Sequence, residues 1–329
     1  MNFTRFEEDH QLFMFVFYVD WCTHCKEMMP IYEIAAKILK RSENPVILAK
    51  IDGMTQNQLV NRFDVKIYPK FFIRNKGRII PFEERPTTKT LVDAVLKEAR
   101  PAYRPVSNLK ELDAERNVDQ AVLLALTNSL THPLMDLFDQ SIRYADSGLK
   151  AFVSKDPDAR KYFNVTDREF AVFLLQAQRF SLGPSTTLDI TQIYGKPGAQ
   201  PKEVSDEVLK RQPPLVGAYN QLTLRMYNSV RDMVLCVIPQ SFSISTEPVR
   251  AMNKIADQLK QHILPRIKDQ IHWILIDDLN YPKVVESYSD SDFMVGCRLN
   301  NETFTMPGDK LDMNEIEVFA RKTLLKSGF

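Results

Sequence analysis

The chain contains 329 residues, of which 44% are hydrophobic and 26% are charged, a composition that excludes collagen-like, low-complexity and disordered chains. Lysine plus arginine number 43 against 42 for aspartate plus glutamate, so the net charge of +1 provides no concentrated basic surface for nucleic acid. Four cysteines in so long a chain exclude a small disulfide-stapled scaffold. The length fits two domains, or three if each unit has roughly 100 residues.

No targeting segment is recognisable in the sequence. The first ten residues, MNFTRFEEDH, carry acidic residues where a secretory signal has a basic region followed by an apolar core. The longest apolar run, Leu12 to Val19, has eight residues. A helix that spans a bilayer needs about 18 or more.

The first hundred residues alternate strand and helix patterns. The continuous apolar run from Leu12 to Tyr18 is typical of a strand buried on both faces. Asn75-Lys76-Gly77 is a hairpin signal between two short strands. The patterns predict strands at 12–18, 45–52, 70–74 and 78–82, and helices at 25–40, 56–63 and 88–99.

The same order of elements occurs three times. The segments PVILAKID, LKAFVSKD and IHWILIDD begin at residues 45, 149 and 271. Proline-rich stretches near 101–105 and at 213–214 mark boundaries between the copies. We therefore predict an α/β protein with three units, residues 1–103, 104–212 and 213–329, each with a mixed central sheet flanked by helices.

The segment Trp21-Cys22-Thr23-His24-Cys25 lies between a predicted buried strand and a helix. A thiol at a helix N-terminus is favoured as its thiolate, and a protonated His24 would favour the Cys22 thiolate further. We expect Cys22 to be the exposed sulfur, which attacks a disulfide, and Cys25 to lie behind it and resolve the mixed disulfide.

Two other interpretations of this segment are a structural disulfide and half of a zinc site. Zinc usually requires a second CxxC or an HxxxH, and Cys236 and Cys297 stand alone about 200 residues away. The redox interpretation is therefore favoured, and no metal site is predicted.

Tyr68-Pro69 precedes a predicted buried strand. A proline cannot donate a hydrogen bond to the strand ladder, so it belongs at a strand start or a tight turn. Pro69 is a candidate for a cis peptide bond.

Together these residues resemble the catalytic thioredoxin domain of the protein disulfide isomerase family. The resemblance is carried by WCTHC, the kinking Pro30, Lys50 in AKID, and VKIYP followed by the NKG hairpin. Three units with CxxC only in the first are similar to the luminal part of the transmembrane thioredoxin-related members. The resemblance implies tandem thioredoxin-like domains, of which the last two are redox-inactive.

The resemblance also implies roles for single residues. Cys22 and Cys25 would be the catalytic pair, and Tyr68 and Pro69 would align the substrate chain. The residues that would tune the redox chemistry are Trp21, Thr23, His24 and Lys50.

Some positions depart from the family pattern. The family buries an acid that relays a proton to the resolving cysteine, and Val16 stands at that position. Glu169 and Asp292 stand before the fourth strands of the second and third units, where the first unit has Pro69.

The sequence thus predicts a thiol–disulfide oxidoreductase or isomerase of the endoplasmic reticulum, in its lumen or at its membrane. Its partners would be unfolded or disulfide-containing client proteins. It would need no cofactor, with glutathione or a partner oxidase exchanging electrons, and would reach a membrane only through segments absent from this chain. One alternative is a client-binding chaperone module with a vestigial CxxC, and another is a cytosolic thioredoxin-like reductase.

The remaining chemistry-bearing residues have simpler interpretations. Cys236 and Cys297 are predicted as buried small apolar residues in core strands, in preference to a redox or pairing role. His132 and His272 lack ligand partners at suitable spacing and are predicted to be structural. Acceptor sequons for N-glycosylation begin at Asn2, Asn164 and Asn301.

Overall fold

The computed structural model shows an α/β protein, which confirms the predicted fold class. It describes residues 3–116, 120–145, 149–176, 187–213, 216–221, 223–229, 234–239, 254–263, 271–277, 279–289, 295–299, 302–308 and 312–326. The described strands form three mixed sheets. The chain separates into two compact units, Met1–Pro101 and Ala102–Phe329.

None of the helices among the described residues is long and apolar enough to cross a membrane.

The first unit contains one four-stranded sheet, in the order β2-β1-β3-β4. Strand β1 is parallel to β2 and antiparallel to β3, which continues antiparallel to β4. Its elements are α1 (Phe3–Asp9), β1 (Leu12–Tyr18), α2 (Thr23–Lys40), β2 (Ile47–Asp52), α3 (Asn57–Arg62), β3 (Lys70–Asn75), β4 (Arg78–Phe82) and α4 (Thr88–Ala99).

Strand β1 is buried on both faces, as its apolar run predicts. Phe13 to Phe17 are all 0% exposed. One face of β1 packs among aromatic rings, where Phe15 stacks on Phe72 with the ring centroids 5.4 Å apart. Met14 and Val16, on the other face, pack against the core side of α2. Each face is sealed from water, so the carboxyl end of β1 is held in one place.

Two polar contacts hold helices of the first unit against its sheet. Tyr32 on α2 donates from its hydroxyl to the carbonyl oxygens of Met14 (3.2 Å) and Ala49 (2.9 Å), which fixes α2 over β1 and β2. Glu7 on α1 accepts two hydrogen bonds of 2.9 Å from Arg62 and lies 3.3 Å from Arg74. The polar atoms of Tyr32 and Glu7, which are both buried, are therefore satisfied by hydrogen bonds and ion pairs.

The second unit begins with a five-stranded sheet in the order β5-β7-β6-β8-β9. The parallel and antiparallel pairs repeat those of the first sheet, and a short edge strand, β5, lies parallel to β7. The elements are β5 (Arg104–Pro105), α5 (Leu109–Glu115), β6 (Val122–Thr127), α6 (Leu134–Tyr144), β7 (Lys150–Ser154), α7 (Pro157–Tyr162), β8 (Phe170–Leu175), β9 (Thr187–Asp189), α8 (Thr191–Tyr194) and α9 (Pro201–Arg211).

The other sheet of this unit also has five strands, in the order β10-β12-β11-β13-β14. Its core includes the fully buried Trp273 and the last helix. The elements are β10 (Val216–Tyr219), α10 (Leu224–Ser229), β11 (Val234–Pro239), a π-helical turn (Leu259–Ile263), β12 (Ile271–Ile276), α11 (Pro282–Glu286), β13 (Val295–Leu299), β14 (Glu302–Met306) and α12 (Met313–Lys326).

Most predicted elements lie within a few residues of the observed ones. Helix α2 begins at Thr23, two residues before the predicted start, because Cys22 supplies its N-cap. The sequence pattern also predicts a helix at 247–267, a range that falls partly outside the described residues. The division into three domains stays a prediction.

The prediction of Cys236 and Cys297 as unpaired residues is wrong. Both are 0% exposed, as expected, but they form a disulfide. Strands β11 and β13 are antiparallel, and their register places Cys236 directly opposite Cys297. Cβ atoms of directly opposed residues lie only about 5 Å apart, so the sheet itself brings the two sulfurs together.

The disulfide closes a loop across a sequence separation of 61 residues. We expect Cys236→Ala/Cys297→Ala to lose roughly 4 kcal/mol of unfolding free energy in this part of the chain, since the bond restricts the unfolded state. Hydrogen exchange of peptides from β11 and β13, followed by mass spectrometry, measures this. The oxidised wild type is the control, and equal protection in both proteins would contradict the expectation.

Candidate active site

The motif lies where β1 ends and α2 begins. Cys22 has an extended backbone and is the N-cap residue of α2. Its sulfur accepts a hydrogen bond from the backbone N–H of Cys25, with the two atoms 3.1 Å apart. Negative charge is favoured at the N-terminus of a helix, where backbone N–H groups point outward. The fold therefore places the Cys22 sulfur at the first turn of a helix, in contact with a backbone N–H.

Cys25 lies deeper than Cys22 and is 1% exposed. Burial is the main cause that raises the pKa of the Cys25 thiol, to about 11, and the hydrogen bond with Cys22 and the charge of Cys22 add to it. Cys25 is therefore held as the neutral thiol at neutral pH. The order in which the two sulfurs react stays a prediction.

The prediction that Cys22 is the exposed sulfur needs correction. The residue is only 8% exposed, because it packs with Val19 and Tyr68.

The Tyr68–Pro69 peptide bond is cis, as predicted. The carbonyl oxygen of Tyr68 lies 3.6 Å from the Cys22 sulfur, whose S–H donates to it. The loop before β3 therefore forms one wall of the site, although it lies 46 residues away in sequence.

Sequence reasoning missed Gly53, which directly follows β2. A Cβ atom at this position would lie 2.6 Å from the Tyr68 hydroxyl oxygen and 2.7 Å from its ring. Glycine is therefore required for the Tyr68 ring to pack against the end of β2. A glycine at the end of a predicted strand was the only available signal.

The residues predicted to tune the chemistry fall into two groups. Trp21, Thr23 and His24 are exposed beside Cys22. Lys50 instead lies at the surface, where its ammonium nitrogen is 3.2 Å from a carboxylate oxygen of Glu33. Lys50 is thus paired outside the core.

The fully buried Val16 leaves no carboxylate at the position where the family pattern has its acid.

Three large apolar side chains next in sequence to residues of the site are exposed. Trp21 is 70% exposed, Met54 59% and Ile67 69%. Trp21 precedes Cys22, Met54 follows Gly53, and Ile67 precedes Tyr68.

Of the three sequon asparagines, the structure describes Asn164. Asn164 is exposed, with a backbone φ of 56°. Asn2 and Asn301 lie outside the described residues, as does Asp292. Glycosylation at the three sites stays a prediction.

The thioredoxin family model matches residues 1–97. The chain is 25% identical to protein disulfide-isomerase A4 of Bos taurus over 243 residues, which cover 74% of this chain and 37% of that protein. It is 24% identical to protein disulfide-isomerase A4 of Mus musculus over 335 residues, which cover 99% of this chain and 51% of that protein. The chain therefore spans about half or less of these relatives.

Among solved structures, the zinc-bound form of human ERp44 matches with a TM-score of 0.50 and 13% identity, covering 98% of this chain and 89% of that one. At this identity the match shows the fold. It extends the similarity from the matched thioredoxin region to nearly the whole chain.

We expect Gly53→Ala to lower turnover of a disulfide substrate by about tenfold, because displacement of Tyr68 shifts a wall of the site. Gly195→Ala is the matched control, since its added Cβ would meet only the Thr191 carbonyl oxygen, at 3.7 Å. Insulin reduction by glutathione measures both variants. Equal rates for the two would show that the packing of Tyr68 does not matter.

Burial, the main cause that raises the pKa of the Cys25 thiol, persists when Cys22 carries a mixed disulfide, whereas the charge of Cys22 does not. Cys25 is then protonated at neutral pH, and we expect the release of a thiol bound on Cys22 to accelerate as the pH rises above about 7, because the thiolate fraction of Cys25 grows. Stopped-flow Trp21 fluorescence follows the release. Cys25→Ser, which removes the attacking group, is the control, and a flat profile in the unmodified chain would contradict the assignment.

Proposed function

Because this chain is related to the protein disulfide isomerases and carries a thioredoxin domain at residues 1–97, we propose that it exchanges thiols and disulfides in client polypeptides. The observation that carries the proposal is the arrangement of Cys22, Cys25 and Tyr68. One sulfur caps a helix, the other is buried behind it, and a backbone carbonyl lies 3.6 Å from the first.

In the reductive direction, the Cys22 thiolate attacks one sulfur of a client disulfide. A bond forms between Cys22 and that sulfur, and the other client sulfur leaves as a thiolate that takes up a proton. Cys25 then loses its proton and attacks the Cys22 sulfur. The client leaves as a dithiol, and the two electrons that it has gained come from Cys22 and Cys25, which become a disulfide.

The reverse sequence oxidises a client dithiol and returns Cys22 and Cys25 to thiols. Either direction needs a second thiol–disulfide pair to restore the enzyme. Glutathione or a partner oxidase would serve, and neither reaction requires a cofactor.

Clients would be unfolded or disulfide-containing polypeptides. The exposed apolar side chains of Trp21, Met54 and Ile67, each next in sequence to a residue of the site, support this proposal, since apolar side chains are exposed in unfolded chains. A polypeptide bound by them would bring a cystine sulfur to Cys22. The residues beside Cys22, Thr23 and His24, would then modulate the stability of its thiolate.

We place this activity in the endoplasmic reticulum. The buried Cys236–Cys297 disulfide supports the placement, because such bonds form and persist in oxidising compartments and are rare in the cytosol. The same bond disfavours the cytosolic reductase. Attachment to a membrane through segments outside this chain stays a prediction.

Trapping of mixed disulfides tests the proposal directly. We expect Cys25→Ser to accumulate mixed disulfides with denatured, disulfide-containing client proteins, because Cys22 attacks a client disulfide and nothing then resolves the bond on Cys22. Cys22→Ser is the matched control, since it removes a sulfur from the same motif and should trap nothing. Non-reducing electrophoresis and mass spectrometry of the adduct identify the attached cysteine.

Turnover distinguishes the enzyme from a chaperone with a vestigial motif. The unmodified chain should reduce insulin faster than glutathione alone, and both serine variants should lose that gain. If the unmodified chain gives no gain, the proposed activity is wrong and the chaperone alternative is favoured.

A further inference from the structure

The second unit carries an acceptor sequence for N-glycosylation at the end of a short helix. Asn164-Val165-Thr166 directly follows Phe163, the C-cap residue of α7. Asn164 and Thr166 are exposed, whereas Val165 between them is 2% exposed. Neither polar side chain forms a hydrogen bond with another residue that the structure describes. The amide and the hydroxyl that define an acceptor sequence are therefore both free.

The backbone of this turn is anchored. Asn164 has a φ of 56°, a left-handed conformation in which asparagine is enriched among non-glycine residues. Its N–H donates to the carbonyl oxygen of Lys161 (3.1 Å), and the N–H of Val165 donates to that of Arg160 (2.9 Å). Val165 also packs in the core. The acceptor asparagine thus lies on a turn that is held in place on both sides.

An exposed aromatic side chain lies two residues before the acceptor. Tyr162 is 75% exposed, and its ring packs against that of Phe163 with the centroids 5.1 Å apart. Phe163 in turn stacks on Phe173 of β8, with the centroids 4.6 Å apart. Cα atoms two positions apart are separated by at most about 7.6 Å, a distance that a sugar joined to the Asn164 amide can span.

The first unit has the same turn with a different neighbour. Asp64 follows the C-cap of α3 with a φ of 48°. Arg62, two residues before it, stands where the second unit has Tyr162, and its guanidinium donates to the carboxylate of Glu7 on α1. This helix end is therefore covered by α1, whereas Tyr162 in the second unit remains exposed.

We propose that Asn164 carries an N-linked oligosaccharide whose first N-acetylglucosamine ring packs on the face of Tyr162. An oligosaccharyltransferase joins the Asn164 amide nitrogen to the anomeric carbon of an oligosaccharide held on a lipid pyrophosphate. The bond from that carbon to the pyrophosphate oxygen breaks, the lipid pyrophosphate leaves with the electron pair, and the amide loses one proton. The C–H groups of the sugar then meet the electron-rich face of the ring. The glycan thus covers Tyr162 and stabilises the end of α7.

The proposal rests on the proposed function only through the endoplasmic reticulum, where the donor and the transferase are found. The full chain is therefore expressed in animal cells behind a cleavable secretory signal and a linker with its own Asn-Gly-Thr sequence. Only molecules with a glycan on the linker are scored, because these have met the transferase. Failure of the redox activity, or of the native placement, would leave this result unchanged.

Mass spectrometry of peptides after enzymatic deglycosylation measures the fraction of each asparagine that was modified. We expect most Asn164 to be modified, and Thr166→Ala to abolish the modification. Tyr162→Ala should lower the modified fraction about threefold, and Tyr162→Phe, which keeps the ring, should retain it. The matched control is Asp64→Asn/Lys66→Thr in the Thr166→Ala chain, since both substituted side chains are exposed on the equivalent turn. It should be modified no more than Tyr162→Ala.

Hydrogen exchange tests the packing of the sugar separately from its transfer. An endoglycosidase that leaves one N-acetylglucosamine on Asn164 provides the sample, and Thr166→Ala provides the unmodified reference. We expect the amides of residues 163–165 to exchange about threefold more slowly in the modified chain. With Tyr162→Ala in both samples, the difference should disappear.

Two results would overturn the proposal. An unmodified Asn164 in molecules whose linker is glycosylated would show that this turn is not an acceptor. Exchange at residues 163–165 that does not depend on Tyr162 would show that the sugar does not pack on the ring, whatever the modified fraction.

Discussion

The double-sided burial of β1 is the constraint on which the active site depends. Five consecutive residues of this strand have no exposure, since aromatic rings cover one face and α2 covers the other. A strand sealed in this way cannot slide, because a shift of one residue would exchange its two faces. The loop at its carboxyl end is therefore fixed, and Cys22 is fixed with it. Tyr32 locks α2 to the same strand and to its neighbour, so the helix that Cys22 caps shares this constraint.

From that fixed point the two sulfurs acquire different properties. Cys22 accepts a backbone N–H at the start of a helix, whereas Cys25 is covered by the core, which raises its pKa to about 11. The two cysteines differ because Cys22 caps the helix, whereas Cys25 lies three residues further along the first helical turn and is almost fully covered. Tyr68 completes the arrangement from a distant loop, and Gly53 leaves room for its ring.

The two sheets of the second unit have the strand order of the first sheet, but their loops and cysteines have different chemistry. Its first sheet repeats the buried central strand, but no cysteine directly follows that strand. Its other sheet puts two cysteines inside the core as a cross-strand disulfide, where they are fully buried. The position of a cysteine in the sheet therefore determines its chemistry. A sulfur at the end of the central strand is placed where it can react, whereas sulfurs in the middle of a strand ladder form a structural disulfide.

The sequence alone was enough to determine the α/β class, the CxxC pair at the strand end and the proline that faces it. These features are local: periodicity, residue type and spacing along a few turns of chain carry them. The pairing of Cys236 with Cys297, the contact of Gly53 with Tyr68 and the pairing of Lys50 with Glu33 were decided by the tertiary structure. Each depends on the register of strands or on packing between segments distant in sequence, and no short-range pattern encodes which residues then face each other.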